Sequence, residues 1–185
     1  MKKKTFVILA AAFVALLAAA AIAYSTLAPD YQDELRPSTV VPNTEKQPEA
    51  AEDFAVYDIN GTKVSLSQFS GKPIVLDFWA PWCGPCKTEL PYFNELYQKY
   101  GNDVEFMMVC TKDDDKRTVD EIKKFLSDGG YTFPVYFDTD LEGELTYGVY
   151  AIPRTIFIDK NGYIAFDHTG YTTKDELELY IKAIL

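Results

Sequence analysis

Soft metal ligands and cations are both in short supply in this chain. Three cysteines among 185 residues can close one disulfide at most, which excludes a scaffold built on disulfides. The single histidine, His168, adds little to them as a source of zinc or copper ligands. Lys and Arg number 18 against 28 Asp and Glu, for a net charge of −10. Because Lys2, Lys3 and Lys4 stand apart at the N-terminus, everything after them carries −13. Such a surface repels nucleic acid and anionic head groups. No segment repeats, and no Cys-x-x-Cys-His haem-attachment site occurs. What is present is an apolar fraction of 48% beside 25% charged residues, the balance of a globular body. Residues 53–185 suffice for one hydrophobic core and not for two.

Behind the lysines runs an unbroken apolar stretch, Phe6 to Ala23. At about 1.5 Å per residue it matches the roughly 30 Å of a bilayer core, and the lysines hold its start in the cytoplasm. Residues 1–24 therefore read as a signal anchor. The competing reading is a cleaved signal peptide, since Ala21-Ile22-Ala23 has the small-x-small form of a cleavage site. The run exceeds the usual h-region of about 7–15 residues, which favours the anchor. Either way the domain works outside the cytoplasm, where disulfides persist. Residues 25–52, with Pro29, Pro37, Pro42 and Pro48 among Asp, Glu, Gln and Thr, read as a flexible extracytoplasmic tether.

Within the domain, Phe54–Ile59 and Lys63–Leu66 flank Asn60-Gly61 as a strand pair, and Ser67–Phe69 reads as one helical turn. Pro73–Trp79 is almost wholly apolar, the mark of a central strand covered on both faces. From Gly84 to Tyr100, Leu90, Phe93, Leu96, Tyr97 and Tyr100 keep helical spacing, and Gly101-Asn102 stops the helix. Then come a buried strand (Val104–Cys110), an amphipathic helix (Thr118–Ser127), a strand (Phe133–Phe137) and a short helix (Leu141–Tyr147). A hairpin about Asn161-Gly162 (Thr155–Ile158, Tyr163–Phe166) and a closing helix (Thr173–Leu185) complete the chain. This order predicts an α/β fold: a central mixed sheet, parallel only at its centre, with helices on both faces.

Trp79-Ala80-Pro81-Trp82-Cys83-Gly84-Pro85-Cys86-Lys87 leaves a buried strand and opens a helix. Two intervening residues put both sulfurs within reach of one disulfide across the first helical turn. At the helix N-terminus, unpaired N–H groups and the positive dipole end favour the Cys83 thiolate. A low-pKa sulfur is also a good leaving group, so the site suits exchange. Cys86 lies one turn deeper. Pro85 fits a first turn, where its missing N–H is not wanted, and Gly84 lets a partner's backbone approach. Zinc would need two further thiolates or imidazoles, and Cys110 and His168 lack ligand-like spacing. Cys110 reads as a buried inert thiol, His168 as a surface residue, and Asp113-Asp114-Asp115 as helix capping and solvation. Trp82, beside Cys83, is expected to line a partner groove.

The segment Val75-Leu76-Asp77-Phe78-Trp79-Ala80-x-Trp82-Cys83-Gly84-Pro85-Cys86-Lys87, with Pro91 five residues on, resembles the active site of thioredoxin. Three further features resemble the membrane-anchored TlpA/ResA/CcmG-type thiol–disulfide oxidoreductases of the redoxin family. They are Leu66-Ser67-Gln68-Phe69-x-Gly71-Lys72-Pro73, the segment inserted between about Lys112 and Leu145, and Ile152-Pro153-Arg154-Thr155-Ile156-Phe157-Ile158-Asp159-Lys160-Asn161-Gly162. The resemblance implies a thioredoxin-like fold with an N-terminal strand pair and an inserted αβ segment. It implies a redox-active Cys83–Cys86 disulfide, no cofactor and no metal. Pro153 matches the cis-proline that faces the cysteines, Ile152 the residue whose backbone pairs with a bound polypeptide, and Gly170 a groove glycine. Asp77 matches the buried acid that shuttles the proton of the deeper cysteine. Arg154 departs from the family's threonine; its guanidinium would steady a thiolate, select acidic partners or point to solvent.

The implied activity is reduction of protein disulfides on the outer side of a bacterial membrane. The partners would be apocytochrome c or other exported thiol proteins, with an upstream membrane thiol reductant. Two alternatives share the fold. A thiol peroxidase would want a lone cysteine preceded by Pro-x-x-x-Thr-x-x, which the chain lacks. A copper chaperone would need a distal histidine, and only His168 could serve.

Overall fold

A computed structural model describes residues 13, 15–20, 48–111 and 118–185. Phe13 and residues 15–20 are helical and exposed. The rest of the expected leader, the tether up to residue 47, and Asp113-Asp114-Asp115 lie outside the described residues. Among the described residues no helix is long and apolar enough to cross a membrane.

Seven strands form one mixed sheet. They are β1 (Ala55–Asp58), β2 (Lys63–Ser65), β3 (Ile74–Trp79), β4 (Glu105–Cys110), β5 (Val135–Phe137), β6 (Arg154–Ile158) and β7 (Ile164–Thr169). Their order is β2-β1-β5-β4-β3-β6-β7. Parallel pairing is confined to β3–β4 and β4–β5, with antiparallel pairs outside them. The expected parallel centre is therefore present. Every residue of β3 is buried, as its apolar run demands of a strand covered on both faces.

Four helices cover the sheet: α1 (Gly84–Tyr100), α2 (Val119–Asp128), α3 (Glu142–Tyr147) and α4 (Lys174–Ile184). On one face Val75, Trp79, Phe106, Met108 and Phe157 pack with Leu90 and Phe93 of α1, Ile122 and Leu126 of α2, and Leu177 and Ile181 of α4. On the other, Leu76, Phe78, Met107 and Ile156 meet Phe54, Leu66 and Tyr147 at the end of α3. Helix α2 is started by Thr118, whose hydroxyl accepts from Glu121 N–H while the Glu121 carboxylate takes the Thr118 N–H. Thr173 and Glu176 start α4 in the same way. Both are capping boxes, which satisfy donors a helix start leaves free.

The hairpin turns at Asn161-Gly162, where the Asp159 carboxylate accepts the N–H groups of Asn161 and Tyr163 at 2.9 Å and Gly162 takes φ +84°. Strand β7 runs three residues past the expected Phe166, because its polar residues alternate half-buried and exposed along a sheet edge. The body also begins ahead of residue 53. Ala50 bridges Tyr163, Ala51 N–H donates to Gly162 O, and Ile164 N–H donates to Glu49 O, both at 2.8 Å.

Candidate active site

Strand β3 ends at Trp79, and the chain turns at once: Cys83 N–H donates to Ala80 O at 3.1 Å. Cys83 then caps α1, its sulfur accepting the Cys86 N–H at 3.2 Å, with Pro85 in the first turn. The two cysteines are disulfide-bonded, with Cα atoms 5.3 Å apart. Cys83 is 5% exposed and Cys86 1%, whereas Trp82 is 45% exposed. Burying the deeper sulfur and leaving the outer one at the rim gives them unequal access.

Strand β6 is β3's antiparallel neighbour, so its start lies at the end where β3 finishes. The Ile152–Pro153 bond there is cis, and Ile152 O lies 3.8 Å from Cys83 Sγ. Pro153 is buried. Gly170, just past β7, donates its N–H to Pro153 O at 2.8 Å with φ +106°, backbone territory that favours glycine. The structure thus brings Cys83, Ile152, Pro153 and Gly170 together. Gly84 is exposed, with nothing within 4 Å of where a Cβ would stand.

The sheet face under α1 carries Asp77, 1% exposed, which accepts from Thr155 Oγ1 at 3.0 Å. Burial raises its pKa well above the ordinary value, the nearby Glu89 carboxylate adds to this, and the Thr155 hydroxyl opposes it. Glu89 is a second acid in the same region. It lies three residues after Cys86 on the buried stripe of α1 and is fully buried. It accepts the Thr172 N–H through Oε1, while Oε2 has no partner in the protein. Burial pushes its pKa up to about 7 against the opposing pull of that N–H. Sequence patterning could have exposed it: a carboxylate amid Cys86, Leu90 and Phe93 stands inside an apolar helical face.

Arg154 does not point freely to solvent. Its guanidinium forks onto Asp167 of β7, Nε to Oδ1 at 3.0 Å and Nη2 to Oδ2 at 2.7 Å, and Nη1 donates to Tyr147 O. With its side chain only 14% exposed, it joins β6, β7 and the end of α3. His168 is half-buried in the edge strand β7, opposite Thr155. Cys110 is buried, its sulfur 3.7 Å from Thr111 O. Among the described residues no three His, Cys, Asp or Glu side chains gather to hold a metal ion.

The Redoxin family profile matches residues 43–181. The chain belongs to the redoxin family. It is 39% identical over 134 residues to the thiol-disulfide oxidoreductase ResA of Bacillus thuringiensis subsp. konkukian, covering 72% of this chain and 76% of that one. ResA of Geobacillus kaustophilus is 36% identical over 134 residues, covering 72% and 75%. Among solved structures, StoA from Bacillus subtilis superposes with a TM-score of 0.62 at 26% identity, over 72% of this chain and 99% of that one. The exposed lipoprotein thioredoxin of Streptococcus pneumoniae gives 0.61 at 30% identity, over 71% and 99%. The fold of this redoxin is thioredoxin-like, and its activity is thiol–disulfide interchange with reduction of protein disulfides.

Proposed function

We propose that this redoxin is an extracytoplasmic protein-disulfide reductase, held to the outer face of a bacterial membrane by residues 1–24, with residues 25–48 as tether. Its clients would be exported thiol proteins, apocytochrome c among them, and an upstream membrane thiol would re-reduce it. The observation that carries the reading is the Cys83–Cys86 disulfide at the start of α1 with Ile152 O beside Cys83.

In the reduced enzyme the Cys83 thiolate, favoured by the Cys86 N–H and the helix end, attacks a client disulfide. One Cys83–client S–S bond forms and the client's own S–S bond breaks, its leaving thiolate taking a proton from solvent. Cys86 passes its proton to Asp77 or Glu89. Its sulfur then attacks Cys83, which releases the second client thiolate and closes the Cys83–Cys86 bond. Two electrons have moved from the enzyme dithiol to the client. A carboxylate with pKa near 7 is half ionised at neutral pH and so is able to accept that proton. Backbone groups of Ile152 would pair with the client chain. Trp82, Gly84, Pro85 and Gly170 would border it.

Insulin reduction with dithiothreitol tests the reading. Cys83→Ser should abolish it and Cys86→Ser should trap a mixed disulfide with the client. A Cys83–Cys86 couple near about −270 mV fits a reductase, and one near about −120 mV would make it an oxidant. Insulin turnover that survives Cys83→Ser would sink the assignment.

A further inference from the structure

Three loops meet at the disulfide, and each exposes an aromatic ring. Trp82 directly precedes Cys83 and is 45% exposed; Tyr150, two residues before Ile152, is 87% exposed; Tyr171, directly after Gly170, is 45% exposed. Topology puts them at one end of the sheet, where β3 ends, β6 begins and β7 ends. The loops are laced together by the Cys83 Sγ–Ile152 O contact at 3.8 Å and by the hydrogen bond from Gly170 N–H to Pro153 O at 2.8 Å. None of these loops, residues 81–86, 148–153 and 169–173, carries a charged side chain, in a chain that holds 46 of them.

We propose that Trp82, Tyr150 and Tyr171 form an uncharged aromatic rim that selects clients whose cystine is flanked by aromatic or large aliphatic residues. The proposal rests on the reading of Cys83 as the attacking sulfur. Large apolar rings exposed around a reactive centre mark a recognition surface and not a solvated face. Aromatic side chains supply contact area at little entropic cost and keep a polar tip for wet surroundings. A cystine-bearing polypeptide is the one occupant that both covers the rings and reacts at their centre. A lipid surface or a second copy of this chain would cover the rings without engaging the disulfide.

The test compares two synthetic peptide disulfides, one with Phe and Leu beside its cysteines and one with Gly, alongside a small aliphatic disulfide, bis(2-hydroxyethyl) disulfide. Reduction is followed in single turnovers of the pre-reduced full chain, with no free dithiol present. The Phe/Leu peptide should react about tenfold faster than the Gly peptide. Tyr150→Ser and Tyr171→Ser should each remove most of that advantage, while Tyr150→Phe keeps it and the small disulfide reacts at an unchanged rate. About tenfold is what 1.4 kcal/mol supplies, within reach of one aromatic contact and its burial. Equal rates for the two peptides, or serine variants that keep the preference, overturn the rim. Failure to reduce the small disulfide as well overturns the reading of Cys83 on which it stands. A concentration-dependent dimer, or vesicle binding, that disappears in both serine variants while peptide preference is unchanged would assign the rings to a second copy or to lipid instead.

Discussion

Glu89 and Asp77 place two buried carboxyls on the sheet face shared with the active-site helix. Burial raises both pKa values, so the folded protein holds these protons more tightly than the unfolded chain does. For Glu89 the stability that follows is fully present below its ordinary value of 4.5 and is lost as pH rises through about 7. Asp77 acts with the same sign. Glu89→Gln should therefore flatten the decline across that window and leave the oxidised variant more stable at pH 8, by an amount on the order of 3 kcal/mol. Urea midpoints measured from pH 4 to pH 9 would show it; parallel curves for the two proteins would count against a raised Glu89. At Arg154 the expected outcome is different in kind. Its guanidinium serves Asp167 and the Tyr147 carbonyl, so Arg154→Ala should cost about 1–3 kcal/mol and leave reduction of a small disulfide near its original rate. Lysine there cannot fork onto Asp167 and should recover only part of the stability. Thermal melts beside a rate assay separate the two effects.

At the scale of elements, the capping boxes are the clearest case of a local signal with a measurable weight. Thr118→Ala removes the acceptor for Glu121 N–H at the start of α2 and should destabilise by about 1 kcal/mol. Hydrogen exchange should quicken first in α2, whose attachment rests on Ile122 and Leu126. The helices were the most readable part of the sequence. Leu90, Phe93 and Leu96 at helical spacing, with Gly101 as a stop, gave α1 its observed bounds, and Asn161-Gly162 announced the β6–β7 hairpin. The cysteine pair was likewise visible, because cap chemistry is local, whereas Pro153 and Gly170 were reached through the family resemblance. What the sequence hid depends on register. Arg154 pairs with Asp167 thirteen residues away, across a hairpin with a register shift at Phe157/Ile158. Nothing short-range says which carboxylate of the next strand will face it. Glu89 was obscured for a related reason: its role follows from a Thr172 amide 83 residues downstream.

Taken whole, the molecule has two poles. Cys83 lies beyond the C-terminal end of β3; Gly162, where residues 49–51 join the sheet, lies beyond the end of β6, which runs the other way. Six residues of β3 separate them, a span of roughly 20 Å. The Glu49–Ala51 pairing should add measurable stability. A chain beginning at Glu52 loses two backbone hydrogen bonds and should melt lower than one beginning at Pro48, by about 1–2 kcal/mol, with the Cys83–Cys86 potential unchanged.

That polarity has a consequence for the cycle. The polypeptide enters the domain at Glu49–Ala51, the pole remote from its sulfurs, so a client seated on Cys83 and the entering chain occupy opposite ends. A bulky disulfide at the reactive end therefore meets no competition from the strand that leads into the domain. Trimming the stretch ahead of Glu49 should accordingly leave the turnover of a soluble disulfide unchanged.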